Sequence, residues 1–302
     1  MLPMLNPYQV IEIQREWVLE PEALGTKEKF WYRQDQRESD WLFKYPHQKA
    51  GQHWAEKIAA EIAACLDIPH AQVELAIFQG KRGSTTKSFA QNGQSLFHGN
   101  QIMAGHVFGY NPVVKYGQSN HTLGNIFLAL DKTFSPPEGA FKAKIQFAGY
   151  LVLDAVIGNT DRHHENWGIL LEKAKHGWIG MLAPTFDQAS SLGRELLDGG
   201  KGKCRQQMLD KKRVGVYAEQ ARGAIYWNKK DQHGLSPLAL VRRATELHPE
   251  IFKPALDRVE RLDRAGMETI LRCVPEHWMT PLERQFSVEL VCYNTTELGR
   301  IQ

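Results

Sequence analysis

The chain has 302 residues, 42% of them hydrophobic, and its 37 basic and 34 acidic side chains give a formal net charge of +3. That length buries a substantial core as one large domain or two lobes, and charges of both signs interspersed along the chain give nucleic-acid binding no support from bulk charge. Four well-separated cysteines without a C-x-x-C pair or secretory signal read as reduced packing residues of a cytoplasmic protein, and the most apolar run, at 147 to 158, is too short to span a bilayer and contains Asp154.

In chain order, KFWYR (29 to 33) and DWLFKYP (40 to 46) flank the charged turn QDQRES, the pattern of a β-hairpin. QHWAEKIAAEIAACLDI (52 to 68) repeats Trp54, Ile58, Ile62 and Leu66 at intervals of four and stops at Pro69, which predicts an amphipathic helix. VELAIFQGKRGSTTKSFA (73 to 90) adds two β-rich runs around a basic turn. The expectation is an antiparallel sheet carrying one helix, a small lobe covering residues 1 to 90.

From 91 to 302 the pattern is mainly helical, after the polar, glycine-bearing link AQNGQSLFHGN. HTLGNIFLALDKTF and AKIQFAGYLVLDAVIGN read as helices, and the second is apolar all round, as a helix in the middle of a domain must be. It ends at Gly158-Asn159, and NWGILLE and GWIGMLAP follow as a hairpin around EKAKHG. LSPLALVRRATEL, KPALDRVERLDRAGMETILRCV and PLERQFSVELV read as further helices, with no internal repeat.

Between the apolar helix and the hairpin lies GNTDRHHENWGILL, with six polar side chains in succession. Asp161 and Asn166, five apart on a loop entering a strand, can face one pocket, the acid toward a substrate hydroxyl and the amide toward a metal. The spacing alone is common in turns. Asp187, in LAPTFDQASSLG, lies at the far end of the hairpin that begins with Asn166. A hairpin returns its ends to one place, so Asn166 and Asp187 can share a hard cation through oxygens.

Lys44 alternates with Trp41, Phe43 and Tyr45 on its strand and needs an anionic partner if that face is buried. Glu56 and Glu61 flank the apolar stripe of the next helix on opposite sides, and periodicity does not choose between them. Asp154, on the apolar helix, needs a partner too if buried, and it is expected to bond the Asp161 loop from below. Gly25 precedes the first strand, where a lid over phosphates would need glycine and backbone N–H groups. GKRGST lacks the Walker spacing. A metal hydrolase using Asp161, His163, His164 and Asp187 is the weaker alternative, without an H-E-x-x-H, and a serine hydrolase is weaker still, without a G-x-S-x-G elbow.

These separated blocks resemble the HipA-like serine/threonine kinases. Asn159-x-Asp161-Arg162-His163-x-x-Asn166 is similar to that family's catalytic loop, in which the Asp is catalytic and the Asn binds magnesium, and Pro184-Thr185-Phe186-Asp187 is similar to its metal-binding P-x-[YF]-D element. Gly25-Thr26-Lys27-Glu28-Lys29 resembles the glycine loop, Lys44 falls at the ATP-phosphate lysine, Glu56 is the better match for its helix partner, and Ser88-Phe89 falls near the adenine hinge. The likeness covers about residues 22 to 200 well and the rest by helical character only.

The resemblance implies an α+β, bilobal protein-kinase-like fold with ATP and Mg²⁺ in the cleft and a Ser/Thr of a protein as acceptor. Arg162 and His163 would brace the loop, while His164 and Glu165 would meet water. An antitoxin partner is implied by the toxin members, and secreted effectors are also known in the family; no direct nucleic-acid contact and no membrane segment are expected. The chain is similar to short members lacking an N-terminal subdomain, and it carries Glu22 where many members have an autophosphorylated serine, which implies a constitutively competent kinase. The order Asp-Arg-His also occurs in phosphoinositide kinases, so a lipid or small-molecule kinase is the second reading, and a nucleotide-binding pseudokinase the third.

Overall fold

The computed structural model describes residues 6–21, 28–34, 39–47, 50–90, 93–175, 177–200 and 202–301. Gly25 and Lys27, assigned above to the glycine loop, and Glu22 lie outside these residues.

The N-lobe is a curled sheet around one helix. Strands β1 (Val10–Ile13), β2 (Val18–Pro21), β3 (Lys29–Tyr32) and β4 (Trp41–Lys44) precede helix α1 (Gln52–Cys65), and β5 (Val73–Phe78) and β6 (Lys81–Lys87) follow it. The order across the sheet is β1-β5-β6-β4-β3-β2. The expected hairpin β3–β4 is present, with Lys29 opposite Lys44. The expectation of a wholly antiparallel sheet is corrected, because β1 lies parallel to β5 at one edge. β1 and β2, which the sequence reading did not mark, are four residues each, too short for an alternation to stand out.

β4 is an interior strand between β3 and β6. Phe43 goes outward into a cluster with Phe30, Trp41 and Phe78. Gly83 of β6 is required there: a Cβ would come 2.5 Å from both the Lys44 carbonyl and the Phe43 ring. The other face of the sheet packs on α1. Trp54, Ile58, Ile62 and Leu66 are buried in a core that continues without a break into the C-lobe, so α1 is shared between the lobes.

The C-lobe is built around α4 (Pro137–Ile157). Its Phe147, Leu151, Leu153 and Val156 are buried, and α3 (Leu123–Thr133), α7 (Pro237–Leu247), α8 (Pro249–Leu256) and α10 (Pro281–Gly299) pack around it, with α2 (Gly99–His106) against α3. The hairpin is β8 (Gly168–Ala174) with β9 (Gly177–Leu182), and β7 (Gln94–His98) adds a third strand against β8. β7 and α2 arise from the segment read as a polar link; Leu96 and Phe97 are too few apolar residues to mark a strand before its partner is known. The short helices α5 (Arg205–Asp210) and α6 (Val214–Glu219) follow the site loops. The single helix expected over KPALDRVERLDRAGMETILRCV (253 to 274) is broken at 257–263, where Asp263 accepts from the Gly266 N–H at 2.7 Å and starts α9 (Arg264–Arg272).

Candidate active site

Lys44 ends β4 on the face toward α1 and is only 7% exposed. Its Nζ is 2.8 Å from Glu56 Oε1 and 3.3 Å from Asp187 Oδ1. Glu56 Oε2 also accepts from the Ser84 hydroxyl at 2.7 Å. Burial acts against the ammonium charge, but Asp187 and Glu56 outweigh it and the Lys44 pKa is raised, so the side chain stays charged. Glu61 is engaged elsewhere, with Lys57 at 2.7 Å, and Lys57 also donates to the Val73 carbonyl and pairs with Glu74. The choice that helical periodicity left open between the two acids is therefore decided by which side of α1 faces β4.

The polar loop is suspended from the end of α4. Gly158, at φ +65°, closes the helix, and the Gly158 and Asn159 N–H groups both return to the Asp154 carbonyl. The buried Asp154 carboxylate accepts from Arg162 through Nε and Nη2, each at 2.7 Å, and from Asn159 Nδ2 at 2.7 Å. Arg162 Nη1 then donates to the Asn166 carbonyl at 2.6 Å. One buried ion pair thus fixes both ends of the loop to the helix beneath it.

On this base the Asp161 N–H donates to Asn159 Oδ1 at 3.1 Å, and Asn166 Nδ2 donates to the Asp161 carbonyl at 2.8 Å. The Asp161 carboxylate faces outward, its side chain 31% exposed. It accepts from the Ser190 hydroxyl at 3.3 Å and lines two adjoining cavities of about 270 and 330 Å³. A cavity of about 610 Å³ lies elsewhere, at the N-terminus of α1 beside Trp278, and includes none of Asp161, Asn166 and Asp187. The chemistry of the Asp161 cavities, not size, makes them the candidate site.

His163 is buried and accepts the Glu165 N–H at Nδ1, which leaves its proton on Nε2, 3.8 Å from Asp161 Oδ1. Burial and then Lys115 push its pKa down to about 3, so the ring beside Asp161 is neutral. The expectation that His164 meets water is corrected. It is 1% exposed, bonded through Nδ1 to the Tyr110 hydroxyl at 2.7 Å, because the loop packs against the segment after α2. Glu165 pairs with Lys115 at 2.7 Å.

Asp187 reaches Lys44 because of what precedes it. Thr185 donates its N–H to the Pro69 carbonyl and accepts from Ala71 N–H, both at 2.9 Å, which fastens this element to the link between α1 and β5. Phe186 stacks on Phe89, centroids 5.4 Å apart. Asp187 itself has φ +58°, a conformation uncommon outside glycine. Ser88 donates its N–H to the Asp40 carbonyl at 2.8 Å and leads out of β6. Ser84, Ser190, Lys115 and Tyr116 are site residues that sequence reasoning missed. Ser84 and Ser190 carry no spacing signal of their own, and Tyr116 enters only because the segment after α2 folds over the loop.

The residues suit a hard divalent cation. The Asn166 amide nitrogen is committed to the Asp161 carbonyl, which leaves the amide oxygen as its acceptor, and Asp187 lies after the other strand of the same hairpin. Magnesium uses one or two such oxygens together with substrate phosphates rather than a full protein cage. Among the described residues no three His, Cys, Asp or Glu side chains converge on one point.

No curated protein matches the chain. Among solved structures it is similar to the Helicobacter pylori proinflammatory kinase CtkA, with a TM-score of 0.74 at 18% identity over 97% of this chain and 96% of that one. It is also similar to a chain in the Shewanella oneidensis toxin–antitoxin complex of HipA, HipB and operator DNA, with a TM-score of 0.56 at 14% identity over 95% of this chain and 67% of that one. These likenesses show the bilobal kinase fold. The model of the HipA-like C-terminal domain matches residues 22–250, so the chain belongs to the HipA-like family.

Proposed function

We propose that this protein is an ATP- and Mg²⁺-dependent serine/threonine protein kinase, with an N-lobe to residue 90 and a C-lobe from residue 91 to 302. The observation that carries the reading is the triple meeting of Lys44 on a sheet strand, Glu56 on α1 and Asp187 after the hairpin, at 2.8 and 3.3 Å. A buried ammonium held by one carboxylate and shared with a second suits a phosphate clamp beside a cation site.

ATP with Mg²⁺ supplies the transferable phosphoryl group and neutralises its developing charge. Lys44 binds the phosphates, and Glu56 holds Lys44 in place. Asn166 and the Asp187 carboxylate would hold the cation. Asp161, anchored through Asn159 and Asn166, orients the acceptor hydroxyl and takes its proton at the carboxylate facing the cavity. Asp154, Arg162 and the neutral His163 keep that carboxylate positioned. By the family resemblance Gly25 and Lys27 would cover the phosphates, and Ser88 and Phe89 would border the adenine. A toxin role with an antitoxin partner is part of this reading, motivated by the family and by the HipA, HipB and DNA complex. A cytoplasmic site of action suits the reduced cysteines; among the described residues no helix is long and apolar enough to cross a membrane.

Labelled ATP with a cell lysate tests the reading, with Asp161→Asn as control. A labelled protein band lost in the variant is expected, by a factor on the order of a hundred or more, with ATP binding and the fold retained. Label in lipid alone, or normal transfer by Asp161→Asn, refutes it.

A further inference from the structure

The interspersed charges of the sequence are not evenly distributed. Nine basic and two acidic residues fall within 201–230, so this stretch alone is more positive than the whole chain at +3, and the remainder carries more acid than base. Part of this block closes a cavity of about 220 Å³ between α5 and α6, lined by Lys203, Lys211, Arg213, Met208, Val216 and Tyr217 among others, with no carboxylate in its wall. Lys203, Lys211 and Arg213 are exposed and have no ion-pair partner among the described residues. By contrast the block's Arg205 is buried and committed to Asp198 at 2.8 Å.

The pocket adjoins the acceptor side of the site. The Tyr217 hydroxyl donates to Glu195 Oε1 at 2.6 Å, and Glu195 lines the 330 Å³ cavity with Asp161, Ser190 and Arg194. Tyr217 of the pocket is therefore bonded directly to a residue that lines an Asp161 cavity. Arg222, hydrogen-bonded to His233, lines the second Asp161 cavity with Lys115.

We propose that the α5–α6 pocket docks an acidic stretch of the acceptor protein, seating Asp or Glu side chains among Lys203, Lys211 and Arg213 while a neighbouring Ser or Thr hydroxyl reaches Asp161. This rests on the kinase reading above. Three cations line one notch together with Met208 and Val216, which suits carboxylates carried on short methylene stems. A nucleic acid presents its phosphates in rows and needs cations spread along a surface, and here the chain outside the block carries more acid than base in total.

Fluorescent serine peptides with a run of glutamates before or after the serine, and a control with glutamines in those places, test this by anisotropy on the full chain. The expected result is that one glutamate peptide binds about tenfold more tightly than the control. The difference should shrink between about 50 and 200 mM salt and vanish in the K203E/K211E/R213E variant. Because these side chains are exposed, circular dichroism of that variant should match the parent. Equal binding of all peptides overturns the proposal, as does a preference that survives the triple substitution, or an RNA oligonucleotide that binds more tightly than either glutamate peptide and is lost in the variant. Binding is read without turnover, so absence of Asp161-dependent transfer counts against the kinase reading and leaves the docking result to stand or fall by itself.

Discussion

Replacing Glu56 with leucine separates what the Lys44 pair contributes to folding from what it contributes to turnover. Glu56 is 1% exposed and Lys44 7%, and removing one partner of a buried pair costs about 3–5 kcal/mol. Lys44 keeps Asp187 at 3.3 Å, which softens the loss. The Ser84 hydroxyl loses its acceptor, which adds about 1–3 kcal/mol. The expected cost of Glu56→Leu is therefore about 3–5 kcal/mol. Adding Lys44→Met removes the stranded ammonium, so the double variant should recover about 2 kcal/mol or more relative to the single one. Turnover should be lost in both. Urea unfolding followed by the fluorescence of buried Trp41 and Trp54, alongside lysate phosphorylation, measures the two quantities. Wild-type stability of Glu56→Leu, a double variant no more stable than the single one, or normal transfer by the double variant would refute the assignment of Lys44 and Glu56.

Arg162→Ala should destabilise the fold by about 3–5 kcal/mol, because Asp154 would stay buried with Asn159 as its remaining side-chain donor; a loss under about 1 kcal/mol in urea unfolding would show that the pair does not anchor the loop. His121 gives a pH dependence: its Nδ1 donates to the Ala224 carbonyl and its Nε2 accepts from Trp167 Nε1, and burial pushes its pKa down from 6.5 to about 4. The unfolded chain binds that proton between about pH 6.5 and 4 and the native chain does not, so this contribution is full above pH 6.5 and falls by about 3 kcal/mol by pH 4. His121→Gln should flatten that acid limb in unfolding measured across the range, and an unchanged slope would sink the idea. Chelation of magnesium should stop phosphate transfer while leaving the thermal unfolding midpoint of the nucleotide-free protein unchanged; a lowered midpoint would mean a structural metal instead.

Much of the frame was legible because it rests on local periodicity. The interval-of-four repeat from Trp54 to Leu66 marked α1, and the all-round apolar run marked α4 as the buried centre. β7 was not legible, since it is a strand only by pairing with β8, seventy residues and more along the chain. His164 was misread for the same reason. Its surroundings in sequence are charged, and its burial comes from Tyr110 and the segment after α2.

The sequence alone determined the chemistry available: Asp161, Asn166 and Asp187 at the ends of a hairpin, and Lys44 on a strand. It also placed the loop, because Gly158 ends the apolar helix. Tertiary structure decided the partners. Glu56 rather than Glu61 meets Lys44, Arg162 turns down to Asp154, and Thr185 pairs beside α1 so that Asp187 arrives at Lys44. Periodicity reports which face of an element is apolar, whereas the partner of a buried charge is fixed by desolvation among distant segments, a cost that exists only once the chain has closed around it.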